Sequence, residues 1–166
     1  MISWKIYLYA IVVRLLPETK FFGIKRALLR WCGAKIGRNV RICSSARILG
    51  VGHLEIGDDT WIGHYATIIA MSPATVRIGA CVDIAPEVCI FTGTHVIDAS
   101  GAHVAGNGRN IDVTICDGAW LCARSTILPG VTIGGKSVIA AGALVNRDVE
   151  ERKIMAGVPA KVIKDI

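Results

Sequence analysis

Aromatic side chains are scarce in this sequence, at 6% of residues against 52% hydrophobic overall. The apolar content is therefore mainly small and branched aliphatics, which suits many short strands better than a few large helices. Cysteine spacing excludes further classes. Cys32, Cys43, Cys81, Cys89, Cys116 and Cys122 form no C-x-x-C pair and no zinc-knuckle spacing, and no signal-peptide pattern accompanies them. They read as unpaired thiols of a reducing cytoplasm. Basic residues interleaved with stacking aromatics are missing too, so the formal charge of +6 and the pI near 9.2 do not point to nucleic acid. No apolar run reaches the roughly 20 residues of a spanning helix, because the first one is broken by Arg14. The four histidines, His53, His64, His95 and His103, include no closely spaced pair of the kind a three-histidine zinc site needs, so no metal is expected. A chain of 166 residues has the size of one domain with its own core.

What the sequence does contain is a repeat. An aliphatic residue returns at every sixth position: Ile36, Ile42, Ile48; Ile56, Ile62, Ile68; Ile78, Ile84, Ile90; then Ile115, Leu121, Ile127, Ile133, Ile139 and Val145. No helix or ordinary strand has that period. The next residue is often small (Gly37, Gly57, Gly63, Gly79, Ala85, Gly134, Ala140), and the fourth after is small or β-branched (Val40, Ala46, Thr60, Ala66, Val82, Val88, Ala119, Ser125, Val131, Ser137, Ala143). Short runs separated by tight corners, stacked about 4.8 Å apart, place each aliphatic over one in the coil below. The predicted core is a ladder of isoleucines.

The period breaks three times. Ile48 to Ile56 carries two extra residues, Ile68 to Ile78 carries four around Ser72-Pro73, and Ile90 to Ile115 holds an excursion of about twenty residues with His95, Asp98 and glycines 101, 106 and 108. Long irregular loops on a rigid scaffold usually carry function or are disordered, so chemistry is sought here.

Ile56-Gly-Asp-Asp-Thr-Trp, Ile62-Gly-His-Tyr-Ala-Thr and Ile133-Gly-Gly-Lys-Ser-Val resemble the repeats of the hexapeptide acyltransferase superfamily. The resemblance runs from about Ile36 to the C-terminus. It implies an all-β fold, a left-handed parallel β-helix, a hand that the usual right-handed crossover rule would not give. The string Phe91-Thr-Gly-Thr-His95-Val-Ile-Asp98 is similar to the catalytic-histidine segment of the galactoside, maltose and nodulation-factor acetyltransferases. It implies acetyl-CoA as donor, a homotrimer with sites between subunits, and His95 as general base. A histidine with an ordinary pKa near 6.5 can take a hydroxyl proton at neutral pH. His64 and Asp98 are the candidate acceptor-binding residues, Asp98 either orienting the imidazole or holding a substrate hydroxyl. Trp120-Leu-Cys-Ala123 resembles the family's Trp-Ile-Gly-Ser segment, which implies an oxyanion-binding amide at Ala123 and a pocket wall at Trp120. Cys122 departs from the usual glycine there. The ending, Ala140 to Val149 and then Met155 to Lys164, resembles the CoA-binding signature and assigns CoA contacts to Ala141, Gly142, Asn146, Arg147, Lys161 and Lys164. The basic pI fits that anionic cofactor.

Residues 1–33 differ in character. Trp4, Leu8, Ile11 and Leu15 form an apolar stripe at helical spacing up to Pro17, and Phe21, Ile24, Leu28 and Trp31 form a second, with Lys20, Lys25, Arg26 and Arg30 supplying charge and Gly33 a stop. They cap the open end of the solenoid or lie on anionic lipid, capping being the preferred reading. The expected organisation is an N-terminal helical cap over 1–33, a β-helix over 34–149 with an excursion over 91–114, and a C-terminal cap with the CoA segment over 150–166. This apolar, basic start is more like the O-acetyltransferases of bacterial surface-polysaccharide synthesis than the maltose or galactoside enzymes. The expected acceptor is a sugar, nucleotide-sugar or glycolipid at the cytoplasmic face of the membrane. A serine, antibiotic or amino-sugar N-acetyltransferase, or a non-catalytic assembly module, shares the same scaffold.

Overall fold

The computed structural model describes residues 1–166. From Lys35 onward the chain winds as a triangular β-solenoid of five coils, each coil giving one short strand to each of three parallel faces. The first coil contributes Lys35–Ile36 to face A, Arg41–Ile42 to face B and Arg47–Leu49 to face C. The second follows with His53–Ile56, Trp61–Ile62 and Thr67–Ile69, and the third with Thr75–Ile78, Asp83–Ile84 and Cys89–Phe91. Val113–Ile115, Trp120–Leu121 and Thr126–Ile127 make the fourth coil, and Thr132–Ile133, Val138–Ile139 and Leu144–Val145 the fifth. Register stacks like on like. On face A, Ile36, Ile56, Ile78, Ile115 and Ile133 lie one above another. Every aliphatic of the six-residue repeat is buried, and so is every small or β-branched residue four positions on.

The corners explain the small residues. A Cβ at Gly57 would sit 2.5 Å from the amide of Ala80 in the coil above, so this A–B corner closes because a side chain is missing, while the fourth coil admits Cys116 at the same place. Three residues after the aliphatic the backbone turns through positive φ, at Asn39, Asp59, Tyr65, Cys81, Glu87, Arg124 and Lys136 among others. Most corners therefore carry one left-handed position, held by glycine at Gly118, Gly130 and Gly142 and by a residue with a side chain elsewhere.

All three breaks in the period fall at one edge, between face C and face A. Gly50–Gly52 lies lowest, Met71–Ala74 above it, and Thr92–Asp112 above that. They bond in sequence: the Gly52 amide donates to Ala70 O at 2.8 Å, the Met71 amide to Thr92 Oγ1 at 2.8 Å, and Asn110 Nδ2 to Ser72 O at 2.8 Å. The longest excursion is not an irregular loop. It forms an antiparallel hairpin, Gly93–Ile97 against Ala105–Asn110, whose strands pack on each other and stand out from the solenoid.

Two helices cover the N-terminal end, α1 (Ser3–Arg14) and α2 (Phe22–Trp31), with Gly33 at φ +97° stopping the second. α1 meets face C of the first coil, and α2 meets faces A and B. Their orientation corrects the sequence reading. Ile6, Tyr9, Val13 and Leu29 are the buried residues, while the stripe of Trp4, Leu8, Ile11 and Leu15, with Phe21, Ile24 and Trp31, is exposed. Lys25, read as surface charge, is fully buried. Its Nζ donates to the carbonyls of Pro17 (3.1 Å), Glu18 (2.7 Å) and Ile42 (3.0 Å), which ties the helix pair to the first coil. At the other end Val149 continues face A, Lys153–Ala156 continues face B, and Lys161–Asp165 folds back antiparallel over it.

Candidate active site

The corner between faces B and C gathers four of the expected site residues in one column. His64 stands in the second coil, Ala123 in the fourth, and Ala141 and Gly142 in the fifth. Backbone bonds lock them in register: Glu87 N to His64 O (2.9 Å), Arg124 N to Pro86 O (3.0 Å) and Gly142 N to Ala123 O (2.9 Å). No group of the chain accepts from the Ala123 or Ala141 N–H, so both are free donors. Trp120 precedes this corner on face B, half exposed, in register with Asp83 below and Val138 above. Burial pushes the Cys122 thiol up, away from the thiolate a nucleophile requires.

His95 lies elsewhere. Its hairpin leaves the third coil at the C–A edge, across the whole of face C from the amide column, and its strands are exposed on both sides apart from Gly106 and Asn110, which are half-buried. The imidazole Nδ1 is 2.8 Å from Gly106 O on the opposing strand. A carbonyl only accepts, so Nδ1 carries the proton and Nε2 keeps its lone pair. Within the chain Asp98 makes no hydrogen bond to the ring. Its Oδ1 accepts from the Ser100 hydroxyl (2.8 Å), the Ser100 amide (3.0 Å) and the Gly101 amide (2.9 Å), bonds that hold its carboxyl below the usual range and close the hairpin tip. The sequence reading missed Gly106 because a backbone acceptor leaves no side-chain signal.

His64 has a partner that the sequence reading also missed. Its Nδ1 faces Glu18 Oε2 at 3.3 Å, and Ser45 gives that same oxygen its hydroxyl (2.9 Å) and amide (3.0 Å). Burial raises the Glu18 carboxyl, but the Ser45 bonds and the charges of His64 and Lys25 outweigh it and leave it below its ordinary value. Cys43 lies beside this pair with its thiol pushed up by burial, a poor setting for a metal ligand.

The expected CoA residues divide between two places. Ala141 and Gly142 belong to the amide column, whereas Arg147 and Lys161 line a cavity of about 290 Å³ at the C-terminal end with Lys153, Glu150, Met155 and Ala160. Asn146 and Lys164 are exposed beside it, Lys164 paired with Ile154 across the last two strands.

No protein-family model matches the chain. A relative from Escherichia coli, WcaF, named as a colanic acid biosynthesis acetyltransferase, is 34% identical over 138 residues, 83% of this chain and 72% of the relative. The chain belongs to the hexapeptide-repeat acetyltransferases. The galactoside O-acetyltransferase of E. coli is 30% identical over 142 residues, 86% of this chain and 68% of that one. A yeast protein named as an acetyltransferase, YJL218W, is 41% identical over 114 residues, 69% of this chain, which spans 57% of that protein's length. Among solved structures, the hexapeptide-repeat acetyltransferase VCA0836 of Vibrio cholerae, complexed with acetyl-CoA, covers 96% of this chain and 86% of its own at 26% identity and a TM-score of 0.71. The solenoid of this acetyltransferase is accordingly the left-handed β-helix of its family.

Proposed function

We propose that the chain transfers acetyl from acetyl-CoA to a sugar hydroxyl in the assembly of a surface polysaccharide, with His95 as general base, in a homotrimer whose sites lie between subunits. The observation that carries this reading is the separation of the parts. His95, its Nδ1 held on the Gly106 carbonyl and its Nε2 free, stands on a hairpin at the C–A edge, and the free amides stand at the B–C corner, where His64 has its own Nδ1 on Glu18. A hairpin whose base rests on Ser72 and Met71 but whose outer part exposes Val96, Ile97 and Val104 completes a site when it reaches the amide column of a neighbour.

The chemistry follows from the groups present. Nε2 of His95 takes the acceptor's hydroxyl proton as its oxygen attacks the thioester carbonyl carbon. The tetrahedral oxyanion is met by the Ala123 N–H, a donor fixed by the corner before the substrate arrives. The C–S bond then breaks, the imidazolium returns its proton to the sulfur, and CoA leaves as the thiol beside the acetyl ester. No acetyl-enzyme is needed, in keeping with the protonated Cys122. Ala141 and Gly142 hold the pantetheine arm, while Arg147 and Lys161, with Asn146 and Lys164 beside them, meet the CoA phosphates. His64, with Nδ1 on Glu18, and the wall at Trp120 bound the acceptor side. A sugar of a surface polysaccharide is favoured because WcaF is named for colanic acid synthesis.

The test is release of free thiol from acetyl-CoA with a panel of glycosides, nucleotide sugars and glycolipid sugars. Acceptor-dependent release that falls at least about 10²-fold in a folded His95→Ala variant supports the base assignment. Undiminished turnover removes His95 from that role, and full activity of a monomer overturns the shared site.

A further inference from the structure

The outer face of the helix pair is built for a surface that the solenoid does not supply. Trp4 is 61% exposed, Tyr7 70% and Leu15 82%, with Leu8 and Ile11 between them and Phe21, Ile24 and Trp31 alongside on α2. The two helices present one continuous patch, since the Trp4 and Trp31 rings meet edge-on at 5.3 Å. Lys5 sits among them, its Nζ 4.7 Å from the Trp31 ring centre and donating to Trp31 O.

Charge singles out the same region. Residues 1–33 hold six basic side chains and one acidic one, so they carry +5 of the chain's formal +6. The basic pI therefore belongs to the helix pair rather than to the CoA segment. The one acid, Glu18, is half-exposed and engaged by Ser45 and His64, while Lys25, Arg26 and Arg30 donate to backbone carbonyls, so the outer charge rests on Lys5, Arg14 and Lys20.

Apolar side chains with large rings, rimmed by Lys5, Arg14 and Lys20 with the one nearby carboxylate, Glu18, engaged by Ser45 and His64, match the boundary of an anionic bilayer. A second copy of the chain fits less well, because pairing this face with itself brings two strongly positive surfaces together. Spanning is excluded by length: α1 has 12 residues, about 18 Å of helix against a hydrocarbon core of about 30 Å. No helix is long and apolar enough to cross a membrane.

We propose that the outward face of α1 and α2 docks on an anionic lipid bilayer, with Trp4, Leu8, Ile11 and Leu15 at the acyl boundary and Lys5, Arg14 and Lys20 at the headgroups. This proposal is independent of the acetyl-transfer reading, because docking requires neither CoA nor an acceptor.

Co-sedimentation of the full chain with vesicles of phosphatidylcholine alone, and with vesicles holding about 30% phosphatidylglycerol, tests it. Binding is expected to the anionic vesicles, with a blue shift of tryptophan emission and loss at high salt. Leu8→Asn with Leu15→Asn, and separately Arg14→Glu with Lys20→Glu, should each weaken it at least about tenfold, with the thermal melt unchanged because all four side chains are exposed. Equal partition of wild type and both variants, or no partition into anionic vesicles, overturns the proposal. So does self-association that the Leu8/Leu15 pair abolishes without any vesicle binding, which assigns the face to a second copy.

Discussion

His95 and Gly106 face one another across the hairpin, imidazole Nδ1 to carbonyl oxygen at 2.8 Å, and this is the ring's one hydrogen bond within its own chain. A Cβ at Gly106 would come within 2.9 Å of Asp98 Cβ and 3.0 Å of Val96 O, so Gly106→Ala must shift its strand. The expected result is a fall in kcat of about tenfold with the melting temperature unchanged within about 1 °C, since the hairpin adds nothing to the core. Steady-state kinetics beside a thermal melt measure both.

Lys25 is the reverse case, a charge whose role is entirely structural. Lys25→Met removes one donor from each of the carbonyls of Pro17, Glu18 and Ile42, of which the first two keep a bond from Ser44. Roughly 3 kcal/mol of stability should be lost, seen as a drop of roughly 10 °C in calorimetry.

The Glu18 carboxyl lies below its ordinary value of 4.5 in the folded chain, so the unfolded chain binds its proton more readily. Its contribution is present above that value and disappears as pH falls through the lower folded one. Glu18→Gln should therefore reduce stability at neutral pH and flatten the acid limb of the melting profile. An unchanged acid limb in the variant would place that limb on other carboxylates.

Arg147 and Lys161 line one cavity, and their charge is expected to act on binding rather than on chemistry. Replacing both by Ala should raise KM for acetyl-CoA about tenfold and change kcat by less than about twofold. A fall in kcat alone would move them out of the phosphate-binding role.

Ser125, at the B–C corner of the fourth coil, is buried with no partner for its hydroxyl, while Ser137, at the same place in the hexapeptide but at the A–B corner of the fifth coil, donates to Glu150 O at 2.7 Å. Ser125→Ala removes an unsatisfied polar atom and should be neutral or stabilising by up to about 1 kcal/mol, whereas Ser137→Ala should destabilise. Denaturant unfolding of the pair compares them directly.

The solenoid was legible because its demand is periodic: from Ile36 to Val145 each sixth residue meets its counterpart one coil away, and few other folds ask for that spacing. The helices were harder to read for a physical reason. α1 is apolar nearly all round, so Ile6, Tyr9 and Val13 satisfy helical spacing as well as Trp4, Leu8, Ile11 and Leu15 do, and only the shape of the first coil decides which set is buried. Lys25 looked like surface charge because the three carbonyls it satisfies come from the interhelix turn and the first coil. His95 could be picked out by resemblance, but its partner could not, as the hairpin register that brings Gly106 opposite has no hydrophobic alternation to announce it.

The stack of insertions along the C–A edge makes catalytic reach a matter of masonry. The hairpin stands on Ser72 and Met71, and that segment stands on Gly52, so the imidazole's aim is set by courses laid two coils beneath it. One residue added or removed between Met71 and Ala74 would tilt the hairpin while every rung of the isoleucine ladder stayed in place. On the proposed mechanism, acceptor preference would drift through the lengths of three short segments at one edge, without any change to the residues assigned to the chemistry.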